Sequence, residues 1–224
     1  PQVTHLDLYG MSQPAWQVGG DFYDFIQHMD GSLAFVVGDV AGKGLSAALL
    51  MAMTRLSFRN PIRFLKEWTP SFLLARANAD LYDDFTEVGS FATAFVGRYN
   101  AVTRQILYAN AGHSPVIYCP RGGVARLLRA DGTALGVLPE TLSADYQLSL
   151  GPDDVLVVGT DGYPEAHAGD DVLFGYEPLL HLVETNAHRS AQAIAQAIQH
   201  AVAAFEDERP PADDRTLVVL KGNA

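Results

Sequence analysis

The spacing of apolar residues along the chain changes period several times, and each change marks an element. Short apolar runs predict strands at residues 4–9, 21–29 and 33–40. Asp30-Gly31, between the last two, predicts a two-residue hairpin turn. The stretch from Ser32 to Val37 is apolar without strict alternation, the pattern of a strand covered on both faces. From Lys43 the period becomes helical. Leu45, Ala48, Leu49, Ala52 and Leu56 recur at spacings of three and four and predict one apolar face through about Arg59. Pro61 is expected to end that helix. A second helix is predicted from Pro70 or Ser71 to about Phe85, with Pro70 suited to its first turn.

The middle of the chain returns to strands. Residues 92–99 and 105–110 flank a turn near Asn100, and residues 116–119 and 124–128 flank Arg121-Gly122-Gly123. Residues 146–150 and 155–159 follow, with Gly151-Pro152-Asp153-Asp154 as the turn between them. A polar loop contains Gly169-Asp170-Asp171, and helices are predicted around residues 177–184 and 190–205. In the second of these, Ile194, Ile198, Ala201, Val202 and Phe205 line one side and Ser190 suits the N-cap. Pro210-Pro211 breaks the chain before a last strand at residues 216–220. The order of strands and helices implies an α+β fold with largely antiparallel sheets, in a single domain without internal repeats.

Composition narrows the function. With 224 residues, 48% of them apolar, the chain can bury a substantial core. Fifteen Lys and Arg against 26 Asp and Glu give a net charge of −11. No basic stripe is present to displace phosphate counterions, so general nucleic-acid binding is not expected. No apolar run approaches the roughly 18 residues that suggest a membrane span, and no secretory leader opens the sequence. Pro1 stands where an initiator Met would, so the expectation is a domain, residues 1–224, excised from a longer regulatory protein. The one cysteine, Cys119, excludes an internal disulfide and fits a reducing cytoplasm; its apolar neighbours favour packing over a catalytic thiol.

Candidate chemistry lies in four acidic clusters where strand-like runs stop or start: Gly19-Gly20-Asp21-Phe22-Tyr23-Asp24, Gly38-Asp39-Val40-Ala41-Gly42-Lys43-Gly44, Thr160-Asp161-Gly162 and Asp213-Asp214-Arg215-Thr216. Gathered in one place, these carboxylates repel unless cations neutralise them. Carboxylates, the Val40 carbonyl and water suit Mg²⁺ or Mn²⁺. Zinc is disfavoured, since no Cys pair or His-x₃-His spacing occurs. The glycine-rich segment after Gly38 superficially looks like a phosphate-binding loop, but Gly38 and Gly42 are too close and Lys43 is followed by Gly44. Lys43 reads as a solvated helix-start residue and His113 as a turn anchor. Tyr23 and Phe25 read as sheet packing, and Met51 and Met53 as core lining.

All four clusters, in this order, resemble the bacterial SpoIIE/RsbU-like branch of the PP2C (PPM) metal-dependent serine/threonine phosphatases. The resemblance is carried by Val18-Gly19-Gly20-Asp21-Phe22-Tyr23-Asp24-Phe25, by Gly38 to Gly44 with Ala47-Ala48-Leu49-Leu50-Met51, and by Asn110-Ala111-Gly112-His113. Leu135-Gly136-Val137, Thr160-Asp161-Gly162 and Asp213-Asp214-Arg215-Thr216 complete it, over about residues 4–220. It implies a PP2C-like sandwich of two antiparallel β-sheets flanked by α-helices, with two Mn²⁺ or Mg²⁺ ions at one end. By the same resemblance, Asp21, Asp39 and Asp161 carry catalysis through a metal-bound water, Asp39 being the bridge. The implied metal set is Asp21, Asp39, the Val40 carbonyl, Asp161, Asp213 and Asp214, with Asp213 favoured over Asp214 as the direct ligand and Asp24 supporting or structural. Two such cations activate water for in-line attack on a phosphoserine or phosphothreonine, with no phosphoenzyme.

Two departures stand out. Ala41 occupies a position where some relatives carry a proton-donating His, and Tyr163-Pro164 replaces the Val-Thr of many others. The implied substrate is a phosphorylated regulatory protein, an anti-sigma-factor antagonist, and the implied longer chain carries an upstream sensor or receiver domain. The alternatives are a non-catalytic adaptor of the same fold that binds a regulatory protein and a hydrolase of small phosphoesters or nucleotides. The two early helices are expected to form a regulated surface and a possible homodimer contact.

Overall fold

The structure is a computed structural model that describes residues 1–129, 131–169, 172–207 and 209–224. The predicted loop at Gly169-Asp170-Asp171 therefore lies partly outside the described residues. Two five-stranded antiparallel sheets face each other. One has the order β1 (Leu6–Gln13), β12 (Arg215–Gly222), β9 (Val155–Gly159), β6 (Val116–Cys119) and β7 (Arg126–Leu128). The other runs β2 (Phe22–Gln27), β3 (Leu33–Val40), β4 (Ala92–Asn100), β5 (Gln105–Ala111) and β8 (Tyr146–Ser149). A short hairpin, β10 (His167–Ala168) with β11 (Val172–Leu173), was not expected from the sequence.

Helices α1 (Gly44–Phe64) and α2 (Pro70–Val88) cover the outer face of the β3 sheet, and α3 (Tyr176–Asn186) and α4 (Ala191–Phe205) cover the other sheet. Three apolar layers result. Leu33, Phe35 and Val37 point between the sheets with Phe95, Val158 and Val218. Ala34, Val36 and Val40 point to the opposite face of β3, against Phe58, Ile62 and Leu73 of the helices. Strand β3 is thus buried on both faces, which is why its apolar run lacks alternation. Burying one such Phe, Leu or Val contributes about 1.5–3 kcal/mol.

The ends of α2 and α4 follow local rules. Thr69 caps α2 by accepting from Phe72 N, with Pro70 in the first turn, and the left-handed Gly89 closes it. Ser190 caps α4 by accepting from Ala193 N.

Three expectations are corrected. The face of α1 that enters the core is Ala47, Thr54, Phe58, Pro61 and Ile62, whereas Leu45, Leu49 and Leu56 are exposed and Met53 lines no core. Helix α1 is apolar on two sides, so spacing alone could not say which side packs. Pro61 does not end α1: it sits one turn from the helix end, which closes through Leu65 N donating to Pro61 O at 2.8 Å. The β2–β3 connection is wider than two residues, because His28 N donates to Ser32 O and leaves Met29, Asp30 and left-handed Gly31 between them.

Candidate metal centre

The acidic clusters meet at one end of the sandwich. Asp21 opens β2 and Asp39 lies near the end of the adjacent strand β3. Asp161 follows β9 in the facing sheet, and Asp213 and Asp214 precede β12, the neighbour of β9. Glycine brings the backbones close: a side chain at Gly20 would come within 2.3 Å of the Val40 carbonyl oxygen.

The carboxyl groups act on one another. Burial and the facing Asp39 push the Asp21 carboxyl well above the ordinary carboxylate range. Asp39 is pushed up to about 7 by burial and by the charges of Asp161 and Asp213, although a hydrogen bond shared with Asp21 works against the rise. Burial, Glu165 and Asp213 raise Asp161 in the same direction. Among the described residues, no group of three or more His, Cys, Asp or Glu side chains already stands at the spacing of a formed metal cage. An all-oxygen set whose members raise one another's proton affinity is nonetheless the donor chemistry that hard divalent cations satisfy.

Neighbouring side chains hold the acids in place. Thr160 Oγ1 donates to Asp21 Oδ2 at 2.7 Å and accepts from Thr216 N at 3.0 Å, tying the start of β2 to β9 and β12. Asp214 accepts from Ala15 N at 2.8 Å through one oxygen and from Gly20 N at 2.7 Å through the other. A Cβ at Gly19 would fall 1.8 Å from Asp214 Oδ2, so a side chain there would displace the carboxylate or the loop. The Asp214 carboxylate is therefore occupied in fixing the loop that delivers Asp21. Asp213, half exposed, faces Lys43 Nζ at 3.3 Å, and that ammonium also donates to Ala212 O. Lys43 is thus the exposed residue at the start of α1 that the sequence suggested, and it also reaches the 212–213 loop.

Asp24 is buried and turned away from the cluster. Arg59 NH1 lies 2.5 Å and 2.6 Å from its two oxygens, and Arg55 Nε lies at 3.2 Å, so it joins β2 to α1. Buried Arg215 donates from Nε to the Gly162 carbonyl at 3.0 Å and pairs with buried Glu206. Pro164 is buried in the turn after Asp161, where Glu165 N donates to Asp161 O at 2.9 Å. The supporting roles of Thr160, Arg55, Arg59 and Arg215 were not read from the sequence. Thr160 lay in plain view within its motif, and Arg55 and Arg59 are spaced i,i+4.

A four-layer antiparallel sandwich with acids gathered at its strand ends defines the class: a PP2C-type phosphatase domain. The SiaA-PP2C domain of Pseudomonas aeruginosa has the same fold, with a TM-score of 0.84 at 21% identity over 96% of this chain and 85% of that one. The RsbU and RsbW domains of a Mycobacterium tuberculosis protein match with a TM-score of 0.80 at 26% identity, over 100% of this chain and 62% of that one.

Within that class the chain belongs to the SpoIIE family: the family model for Stage II sporulation protein E matches residues 29–223. The phosphoserine phosphatase RsbU of Bacillus subtilis is 30% identical over 224 residues, covering 99% of this chain. The chain spans 64% of the length of RsbU and 39% of IcfG from Synechocystis.

Proposed function

We propose that the domain hydrolyses phosphoserine or phosphothreonine on a regulatory protein, using two divalent cations, Mn²⁺ or Mg²⁺. The observation that carries this reading is the gathering of Asp21, Asp39, Asp161 and Asp213 at the ends of β2, β3, β9 and β12, where burial and neighbouring carboxylates push the first three above the ordinary carboxylate range. Asp21, Asp39, Asp161 and Asp213 would hold the ions, with the Val40 carbonyl as a further donor. When bound, the ions supply Lewis acidity toward water and neutralise charge on the phosphoryl oxygens.

The chain's own residues do the positioning. Thr160 orients Asp21 through its hydroxyl, and Asp214 fixes the Gly19-Gly20 loop through two backbone amides. Asp213 is kept beside the cluster by Lys43. Ala41 offers no proton donor, so solvent protonates the leaving seryl oxygen in this scheme.

RsbU and RsbP are named phosphoserine phosphatases, which supports phosphoserine as the substrate group. An anti-sigma-factor antagonist is the proposed substrate protein. The proposed setting is a longer cytoplasmic chain with a sensor or receiver domain upstream, possible as a homodimer. No described helix is long and apolar enough to cross a membrane.

The test is phosphate release from a phosphoserine protein across Mn²⁺ concentrations, with a chelator control. Release that requires Mn²⁺ and is nearly abolished by Asp39→Asn is expected. Metal-independent release, or no release from any phosphoprotein, would remove the proposal; in the second case two-site Mn²⁺ binding by calorimetry would separate a small-phosphoester hydrolase from a metal-free adaptor.

A further inference from the structure

His113 stands outside the carboxylate cluster, yet it touches strands from both sheets just behind it. Left-handed Gly112 turns the chain after β5. Asn110 then secures the turn: its Oδ1 accepts from His113 N at 2.7 Å and its Nδ2 donates to His113 O at 3.3 Å. The imidazole that results is 2% exposed. Its Nδ1 is 2.9 Å from Thr93 Oγ1, and Thr93 is the cross-strand partner of Asp39. Directly opposed residues of an antiparallel pair share one face of the sheet. The ring also faces the backbone of Gly159, the last residue of β9, two positions before Asp161. Its Nε2 is buried and makes no hydrogen bond.

We propose that His113 is a positioning residue that sets the separation between the two sheets at the metal end, and so the spacing of Asp39 from Asp161. This rests on the metal-hydrolase reading above. A ring wedged between Thr93 on one sheet and Gly159 on the other transmits its width to the two acids without touching either. Burial drives the ring's proton affinity down, to about 4, so it stays neutral at working pH and adds no charge to the crowded acids. A neutral imidazole can donate through one nitrogen and accept through the other, which suits a hydroxyl on one side and a backbone carbonyl on the other.

Calorimetric titration of Mn²⁺ into the chelator-treated domain tests this directly, with thermal unfolding recorded on the same samples. His113→Ala is expected to weaken Mn²⁺ binding by about tenfold, the low end for residues that support metal ligands from behind. Thr93→Val, which removes the hydroxyl and keeps the volume, should give a similar loss, and the double variant no more than either alone. His113→Asn, which keeps a polar atom near the Nδ1 position, should recover part of the affinity. Wild-type Mn²⁺ affinity in folded His113→Ala and Thr93→Val would overturn the proposal, even if both were less heat-stable. Should His113→Ala fail to fold, Thr93→Val decides alone. If the unaltered domain binds no Mn²⁺, the hydrolase reading falls and takes this one with it; if only the variants are unaffected, the hydrolase reading survives.

Discussion

A carboxyl group that keeps its proton to about pH 7, as Asp39 does, works against the folded state once it ionises. In the unfolded chain it would titrate near its ordinary value of 3.8. Between those values the folded chain holds a proton that the unfolded chain has released, so unfolding free energy falls as pH rises through the window. Asp21 and Asp161 shift in the same direction. In chelator, the unfolding temperature should therefore drop from about pH 5 to about pH 7.5. Asp39→Asn should flatten that slope, and saturating Mn²⁺ should abolish it; a rise with pH in chelator would contradict the electrostatic picture. Gly19 offers a steric counterpart. Because an added methyl would fall 1.8 Å from Asp214 Oδ2, Gly19→Ala should displace the loop before Asp21 and weaken Mn²⁺ binding in calorimetry.

At the level of elements, α1 has two apolar sides and only one of them is inside. Phe58 is 1% exposed against the β3 sheet, while Leu49 is 61% exposed. In denaturant unfolding Phe58→Ala should cost about 3–5 kcal/mol, and Leu49→Ser should change stability by no more than about 0.5 kcal/mol. The reverse order would mean the helix packs as its leucine spacing suggests. The contact between α1 and β2 is electrostatic as well: Arg59→Met leaves buried Asp24 with Arg55 alone and should cost about 1.5–3 kcal/mol.

These elements show where the sequence was readable. The span Leu33–Val40 matched to the residue because a strand buried on both faces has a continuous apolar signal. Helix α1 was recognised but turned the wrong way, since its leucines and its core face have the same period. Its end was placed too early because a proline near a helix terminus costs only one hydrogen bond, and the sequence does not say how many turns remain.

Across the whole molecule, the acids that converge were all visible as motifs, because each pairs an aspartate with glycine or threonine at a strand end. What fastens them was not visible. The link from Asp214 to Gly20 spans 194 residues and the one from Thr160 to Asp21 spans 139, and no local pattern announces a partner so distant. The same convergence makes metal binding a global effect. A cation that binds only the folded domain at a hundred times its dissociation constant adds about 2.7 kcal/mol per site. Mn²⁺ should raise the unfolding temperature of the domain, and Asp39→Asn should remove most of that gain.

Strand β12 lies between β1 and β9, all of its residues buried, and the Asp214 just ahead of it holds the loop before Asp21. Synthesis delivers residues in order, so a nascent chain still lacking residues 213–222 has a gap in one sheet and no anchor for the loop that presents Asp21. Pairing partners so remote also join late and slowly. The acidic cluster therefore cannot assemble until β12 has been made and has slotted between β1 and β9, so the site is among the last features of this fold to form.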